Sequence, residues 1–185
     1  RRLTLAAGLL ELVDREFSAS RDRLRDGITG TRLEAVDDDP RSSPRELAAF
    51  LAGQGPEQFR RCCTAADHAL FLGEGTAGEL LGYAWLGPYD LDLYIPDLLA
   101  GRHWWTMRQL YLREQAKGSG LADALMAHAI DEARARRFEE LLLTVWIGNH
   151  RARRFYERHG FHEVGKYPYR VGNTVDDDRI LRLPL

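Results

Sequence analysis

Cysteine is almost missing from this chain of 185 residues: the only two, Cys62 and Cys63, are neighbours. Adjacent cysteines rarely bridge each other and cannot staple a framework, so a hydrophobic core must carry the fold and a reducing compartment is expected. Long apolar runs are lacking too. None approaches the roughly 20 residues needed to cross a bilayer, which argues against a membrane span. Nor is there an excess of charge of one sign. The 26 Lys+Arg and 28 Asp+Glu residues leave a formal net charge of −2, so nothing draws the chain generally to nucleic acid or to an anionic membrane. Internal repeats and low-complexity linkers are absent. The sequence opens on Arg1-Arg2 without an initiator methionine and without a secretory h-region, and we expect a cytoplasmic protein.

What is present is an ordinary globular mixture, 44% hydrophobic and 29% charged. A chain of this size can bury about 70% of the surface its unfolded form exposes, so a single domain over residues 1–185 is expected. Acids crowd the first half (Asp37, Asp38, Asp39), while arginines gather later (Arg134, Arg136, Arg137, Arg151, Arg153, Arg154, Arg158). Most of these arginines read as solvated helix faces; a few could meet a phosphate-rich ligand.

Periodicity organises the chain. A short strand is expected at residues 3–5, with Thr4 a plausible cap for a helix striped by Leu9, Leu10, Val13 and Phe17. Residues 19–42 are polar and weakly periodic, and no element is assigned to them. Ser43-Pro44-Arg45-Glu46 is a capping box with proline at the first helical position, opening a helix that stops at Gly53; Pro56 opens another. Apolar runs at 69–72 and 80–86, separated by Gly73, Gly75 and Gly78, predict a hairpin. Residues 87–103 form a connection long enough to line a functional cleft. Strand character resumes over 104–112. Leu121, Leu125, Ala129, Ile130 and Ala133 predict an amphipathic helix over 119–137. Residues 141–147 suit a central strand. A helix over 151–159 ends at Gly160 in the left-handed cap position, and strands near 161–171 and 179–183 follow. Helices alternating with strands imply an α/β domain around a mixed sheet.

The chemistry concentrates in Gln115-Ala116-Lys117-Gly118-Ser119-Gly120, between the 104–112 strand and the following helix. Two glycines allow a tight turn and close backbone approach to a ligand. Amides there point outward at the positive end of the helix dipole, which makes a seat for phosphate or pyrophosphate. This is neither a P-loop, because no Gly-Lys pair occurs, nor a dinucleotide fingerprint, because Asp123 stands where the third glycine belongs. Taken alone, the segment is equally compatible with a turn whose glycines serve geometry only.

A second block, Asn149-His150-Arg151-Ala152-Arg153-Arg154-Phe155-Tyr156 running on to Gly160-Phe161, changes that balance. With it the sequence resembles the GNAT superfamily of N-acetyltransferases. Gln115-x-x-Gly118-x-Gly120 is similar to that family's Q/R-x-x-G-x-G/A signature, and Asn149-x-x-Ala152-x-x-Phe155-Tyr156-x-x-x-Gly160-Phe161 to its second motif. Val145-Trp146, Tyr169-x-x-Gly172 and Asp178-x-Ile180 resemble the branch containing spermine/spermidine acetyltransferases. The resemblance is strongest over 104–183, thinner over 44–88 and absent over 19–42. It implies a single-domain fold with a mixed, mostly antiparallel sheet of about six or seven strands flanked by helices. It also implies acetyl-coenzyme A as cosubstrate, no metal, and transfer of acetyl to a primary amine, a small one such as a polyamine. Carried over residue by residue, backbone groups of Leu110, Tyr111 and Leu112 would bond the pantetheine arm in a gap between splayed strands. Amides of Gln115, Ala116, Lys117, Gly118, Ser119 and Gly120 would hold the pyrophosphate. Asn149 and Ala152 would meet the pantetheine, and Arg151, with Arg154, would reach the phosphates. Homodimers are common in such families, although nothing in the sequence establishes one.

Tyr156 would sit near the thioester sulfur, where a phenol of pKa near 10 is protonated at neutral pH and can donate to a departing thiolate. It could instead be a core aromatic, as Phe155 beside it is, and Asn149 could serve only as a helix cap. The base that takes the amine's proton is unassigned. Thr106-Met107-Arg108-Gln109 carries no acid where many family members have a glutamate, and Asp90, Asp92, Glu79 and His103 are surface-like candidates. Trp104, Trp105 and Trp146 could wall a cleft or fill the core. Asp178 could be a structural hydrogen-bonding group, and Asp90, Asp92 and Asp97 would suit a polyamine pocket. The missing strand acid also leaves room for a rival, a non-catalytic module that senses acyl-coenzyme A on the same fold.

Overall fold

The computed structural model describes residues 65–76, 80–171 and 174–185. The elements expected at 3–5, after Thr4, at Ser43 and after Pro56, the unplaced segment 19–42, and Glu79 lie outside the described residues. The predicted hairpin is β1 (Ala69–Glu74) and β2 (Leu80–Gly87), antiparallel with Ala69 opposite Leu86 and Leu72 opposite Tyr83. The connection that follows is not featureless. It holds a 3-10 turn (Leu91–Leu93) and a one-turn helix, α1 (Pro96–Leu99), with proline at its first position. β3 (Trp104–Leu112) pairs antiparallel with β2. Next come a 3-10 turn (Glu114–Ala116), α2 (Leu121–Ala135), β4 (Glu140–Trp146), α3 (His150–Arg158), β5 (His162–Val171) and β6 (Thr174–Pro184).

The described strands make one six-stranded mixed sheet in the order β1-β2-β3-β4-β6-β5, with β3 and β4 its only parallel neighbours. β4 is central and buried from both sides, which explains its unbroken apolar run. Leu141, Leu143 and Val145 join Met126, Ala129 and Ala133 of α2 on one face, where Phe155 and Tyr156 of α3 also pack. Leu142 joins Leu91, Ile95, Leu99 and Ile180 on the other. Each fully buried leucine of this kind contributes about 2 kcal/mol through removal from water. No helix among the described residues is long and apolar enough to cross a membrane.

The last strand is longer than its sequence suggests. It is expected near 179–183, yet Asp176, Asp177 and Asp178 already lie inside β6, because Tyr169, Pro168 and Tyr167 of β5 pair with them in turn. Pairing across the sheet outweighs the low strand propensity of aspartate.

A buried ion cluster closes one end of the sheet. Glu140, 1% exposed, accepts from Arg182 Nε at 2.7 Å and from Arg102 Nη1 at 2.9 Å. These groups join the start of β4, the segment before β3 and the end of β6. Arg102 is half in solvent, but truncating Glu140 leaves the Arg182 guanidinium largely enclosed without its counter-charge. Glu140→Ala should therefore lower the unfolding free energy by about 3 kcal/mol, read as a drop in the denaturant midpoint at unchanged slope. A loss within experimental error would mean that the arginines find solvent without rearrangement.

Candidate active site

The site begins with an irregularity in β3. Leu86 lies opposite Met107 and Trp85 opposite Gln109, so Arg108 is an extra residue on that strand. A bulge bends its strand and increases the local twist. Parallel pairing with β4 accordingly covers only Trp104–Glu140, Trp105–Leu141 and Thr106–Leu142, and it stops just before the bulge. Beyond that point β3 and β4 diverge.

The edges of this gap have main-chain groups to offer. Arg113 N donates to Leu81 O at 2.8 Å. In an antiparallel ladder the groups alternate, so Tyr111 and Gln109 turn theirs to β2 while Leu110 and Leu112 turn theirs into the gap. Leu110 and Leu112 thus point where an extended ligand would lie. Tyr111 does not, and what it brings to the gap is a phenol. On the opposite edge, Ile147 N donates to Asp177 O at 3.0 Å, which leaves the groups of Thr144 facing the gap.

At the mouth of the gap the chain turns into α2. Gly118 has φ of 77° and Gly120 of 85°, a left-handed region costly to any residue with a Cβ, and an added Cβ at either would meet nothing within 4 Å. These glycines therefore serve backbone conformation and an open approach, not packing. The six amides expected to grip a pyrophosphate are not equivalent. Those of Ala116, Lys117 and Ser119 donate within the turn, to Arg113, Glu114 and Ala116 carbonyls. Leu121 N donates to Ser119 Oγ. Among the described residues, the amides of Gln115, Gly118, Gly120, Ala122 and Asp123 have no acceptor, and the last four cluster at the positive end of a 15-residue helix. Helix amides beyond Gly120 were not legible in the motif, because only the turn's own bonding decides which donors are left over.

Two cations flank this turn. Lys117, in an ion pair with Glu114 at 2.6 Å, has its pKa lowered by desolvation and then by the charge of Arg151 on α3. Arg151 is therefore close enough to act on the same anion. Arg154 lies exposed on α3, while Arg153 pairs with Glu163 and Arg158 with Asp123. Asn149 caps α3, its Oδ1 accepting from Ala152 N at 3.0 Å. Gly160, at φ 90°, supplies the expected left-handed residue past the helix end.

Tyr156 projects from α3 against Phe155 and Phe161, with ring centroids 5.5 Å and 5.9 Å away in edge-on geometry. Burial pushes its phenol up to about 12. Tyr111 is likewise pushed up to about 12 by burial, with the Tyr156 phenol adding to the effect. The two phenols are thus near enough to act on one another electrostatically where the strands part. Among the described residues, no hydrogen-bond partner takes the Tyr156 hydroxyl.

The far side of the gap is walled by aromatic rings. Tyr167 packs on Tyr94 at 4.6 Å and on Tyr89 at 5.7 Å, and its hydroxyl is 3.1 Å from that of Tyr89. The Arg108 guanidinium lies over Trp85 and Tyr89 at 4.7 Å and 4.9 Å and donates to Pro88 O. Asp178 stands in the same layer, opposite Trp146 on β4 and Tyr167 on β5. It is 8% exposed, and burial, with Asp176 and Asp177 adding like charge, pushes its carboxyl up to about 7.

Other expected candidates fall elsewhere. His103 sits at the closed end of the β3–β4 pair, stacked on Phe138 at 4.2 Å with Nδ1 2.9 Å from Arg137 O. It lies beside the paired part of β3 and β4, away from the gap that opens past Thr106. Asp90, Asp92 and Asp97 are exposed on the connection before β3. Trp105 is core, 2% exposed, its Nε1 donating to Asp67 O, so it does not wall the cleft; Trp146, half-buried at the open end, is positioned to do so.

A sequence model of the acetyltransferase (GNAT) family matches residues 33–161. No curated protein matches the chain by sequence. Among solved structures it is similar to nourseothricin acetyltransferase, 23% identical with a TM-score of 0.54 over 64% of this chain, where it spans 66% of that enzyme's length, just under two thirds. It is also similar to the PaiA N-acetyltransferase of Thermoplasma acidophilum in complex with coenzyme A, 17% identical with a TM-score of 0.61, covering 100% of this chain and 97% of that one. The ribosomal-protein-alanine N-acetyltransferase of Brucella melitensis is 19% identical with a TM-score of 0.56, covering 100% and 98%. At these identities the structural likeness establishes the fold.

Proposed function

This chain belongs to the GNAT family of acetyltransferases, and from that premise we propose that it moves an acetyl group from acetyl-coenzyme A to a small primary amine held between Tyr156 and the aromatic wall. The observation that carries this reading is the parting of β3 and β4 just past Thr106, which opens a slot edged by unpaired main chain and ending at four unaccepted amides. The residues present suit the cosubstrate. Leu110 and Leu112 would bond its amide-bearing arm, as a further strand would. Gly118, Gly120 and the first amides of α2 would hold the diphosphate, with Lys117 and Arg151 beside them. Bound there, the thioester supplies an activated acyl carbon.

Tyr156 would then act as the acid. A phenol held near 12 stays protonated through any working pH and lies unpartnered at the gap. Asn149 orients α3, and through it Tyr156, by its cap. Polyamines are the first acceptors to test, because Asp90 is close enough to the Tyr89 and Tyr167 phenols to oppose their ionisation and so edges the aromatic wall with negative charge.

The reading is tested by calorimetry and by coenzyme A release. The wild type should bind coenzyme A, and Gly118→Ala should weaken binding about tenfold, since a left-handed non-glycine costs roughly 1–2 kcal/mol. Undetectable binding by the wild type would overturn the reading, and binding unaffected by the alanine would place the cosubstrate elsewhere.

A further inference from the structure

Taking a proton from the acceptor has no assigned agent, and the described buried acids number two. Glu140 is occupied by Arg102 and Arg182 at the closed end of the sheet. Asp178 is buried at the open end, and no described residue donates a hydrogen bond to its carboxyl. Its oxygens keep a little contact with solvent, yet a carboxyl so nearly enclosed and without a counter-charge is costly to ionise, and such groups concentrate where chemistry uses them.

Resting on the transferase reading above, we propose that Asp178 is the general base of this acetyltransferase, receiving the proton of the acceptor's ammonium from within the aromatic wall. Three placements support this. Trp146, Asp178 and Tyr167 form one row across β4, β6 and β5, so the carboxyl lies on the sheet face carrying Ile180 and the aromatic wall, level with the end of β4 where the gap is open. Tyr169 connects the row to the gap: its phenol, raised first by burial, also feels Tyr111, Tyr167 and Asp178, while Arg108 opposes the rise. Tyr111 in turn feels Tyr156, the acid. The charged and titratable groups around Asp178 are therefore Asp176 and Asp177 on its own strand and Tyr167 and Tyr169 on β5, with Arg108 and Tyr111 of β3 reached through Tyr169. Asp177 is tied to Arg179 at 2.7 Å. This leaves a carboxyl poised to exchange a proton near neutrality, faced by rings that suit an ammonium.

The proton balance closes. An acceptor R–NH3+ gives one proton to the Asp178 carboxylate, and the freed nitrogen lone pair forms the N–C bond to the acyl carbon. As the C–S bond breaks, its electron pair leaves on sulfur, which takes the phenolic proton of Tyr156. The surplus proton on nitrogen restores that phenol. The sum is an ammonium and a thioester going to an acetamide, a thiol and one proton, which Asp178 releases to water.

The experiment compares wild type with Asp178→Asn, which keeps the shape and loses the base. Coenzyme A release is followed from about pH 5 to 9 with spermidine, L-lysine and an alanyl peptide as acceptors. Wild-type kcat/KM should climb about tenfold per unit up to the ionisation near 7 and then level. Asp178→Asn should lose about 10²-fold near pH 8 and show no such limb, whereas Asp178→Glu, slower but still carrying a carboxylate, should keep it. Coenzyme A affinity should change less than twofold in either variant. Infrared difference spectra of the wild type should contain a carboxyl band titrating near 7 that is missing from Asp178→Asn. An Asp178→Asn protein with near wild-type turnover and an intact limb overturns the base assignment and leaves the transferase reading standing. Wild-type protein that binds no coenzyme A, or transfers to none of the three acceptors, overturns both.

Discussion

Tyr156→Phe should lower kcat by about 10²-fold while leaving coenzyme A affinity within a factor of two. The reasoning is local. The phenylalanine ring keeps the edge-on contacts with Phe155 and Phe161, so α3 and its Asn149 cap stay in place and binding is spared. What vanishes is one O–H on a half-buried side chain, whose partial enclosure holds the phenol at about 12 and hence fully protonated. A donor already protonated at every working pH adds no alkaline limb of its own, so the wild-type profile should stay level well above pH 8. The loss stops short of complete inactivation. A thiol of pKa about 8.5 makes a fair leaving group even unprotonated, so the acid lowers the barrier without being its sole support. Single-turnover measurements alongside calorimetry separate the two quantities. A kcat within threefold of wild type would return Tyr156 to the core-aromatic role that its neighbours suggest.

Asp178→Asn should stabilise the protein, and by more at alkaline pH. The folded carboxyl titrates near 7 against 3.8 for the free group, so between those values the native state holds a proton that the unfolded chain has released. Stability contributed by that proton is complete below 3.8 and is lost as pH rises toward 7. At about 1.4 kcal/mol per unit, the loss is on the order of 4 kcal/mol, an upper bound because water and side-chain relaxation soften it. Asparagine cannot ionise and escapes it. Melting temperatures of the two proteins should therefore nearly coincide at pH 4 and differ by roughly 8 °C at pH 8, at about 2–4 °C per kcal/mol for a chain of this size. A gap independent of pH would mean that Asp178 is ionised and satisfied throughout. Wild-type protein that is the less stable of the pair at its working pH would show the usual tension between a reactive group and a quiet fold.

Much of the scaffold was legible because its signals are local. The short apolar runs at 69–72 and 80–86, the four-residue spacing of Leu121, Leu125 and Ala129, and the apolar run through Leu141, Leu142 and Leu143 each record which sides of a segment meet the core, and the structure has strands and a helix in those places. The same holds for Asn149 at the start of α3 and for Gly118 and Gly120 at positive φ. Where a signal was local but misleading, the sheet overrode it. Asp176 to Asp178, outside the strand expected at 179–183, are part of β6, and Trp104 and Trp105, both candidates to wall a cleft, alternate to opposite faces.

By itself, then, the order of residues determined most of the described elements, the glycine turn before α2 and the place of Tyr156 on α3, since each depends on neighbours within a helical turn or a tight bend. Only the folded sheet decided that Arg108 is a bulge, that β3 and β4 therefore part, and that one aspartate of three is buried beside a wall of rings. Strand pairing and burial come from contacts between segments far apart in the chain, and it is those contacts that move a carboxyl from its ordinary value toward neutrality.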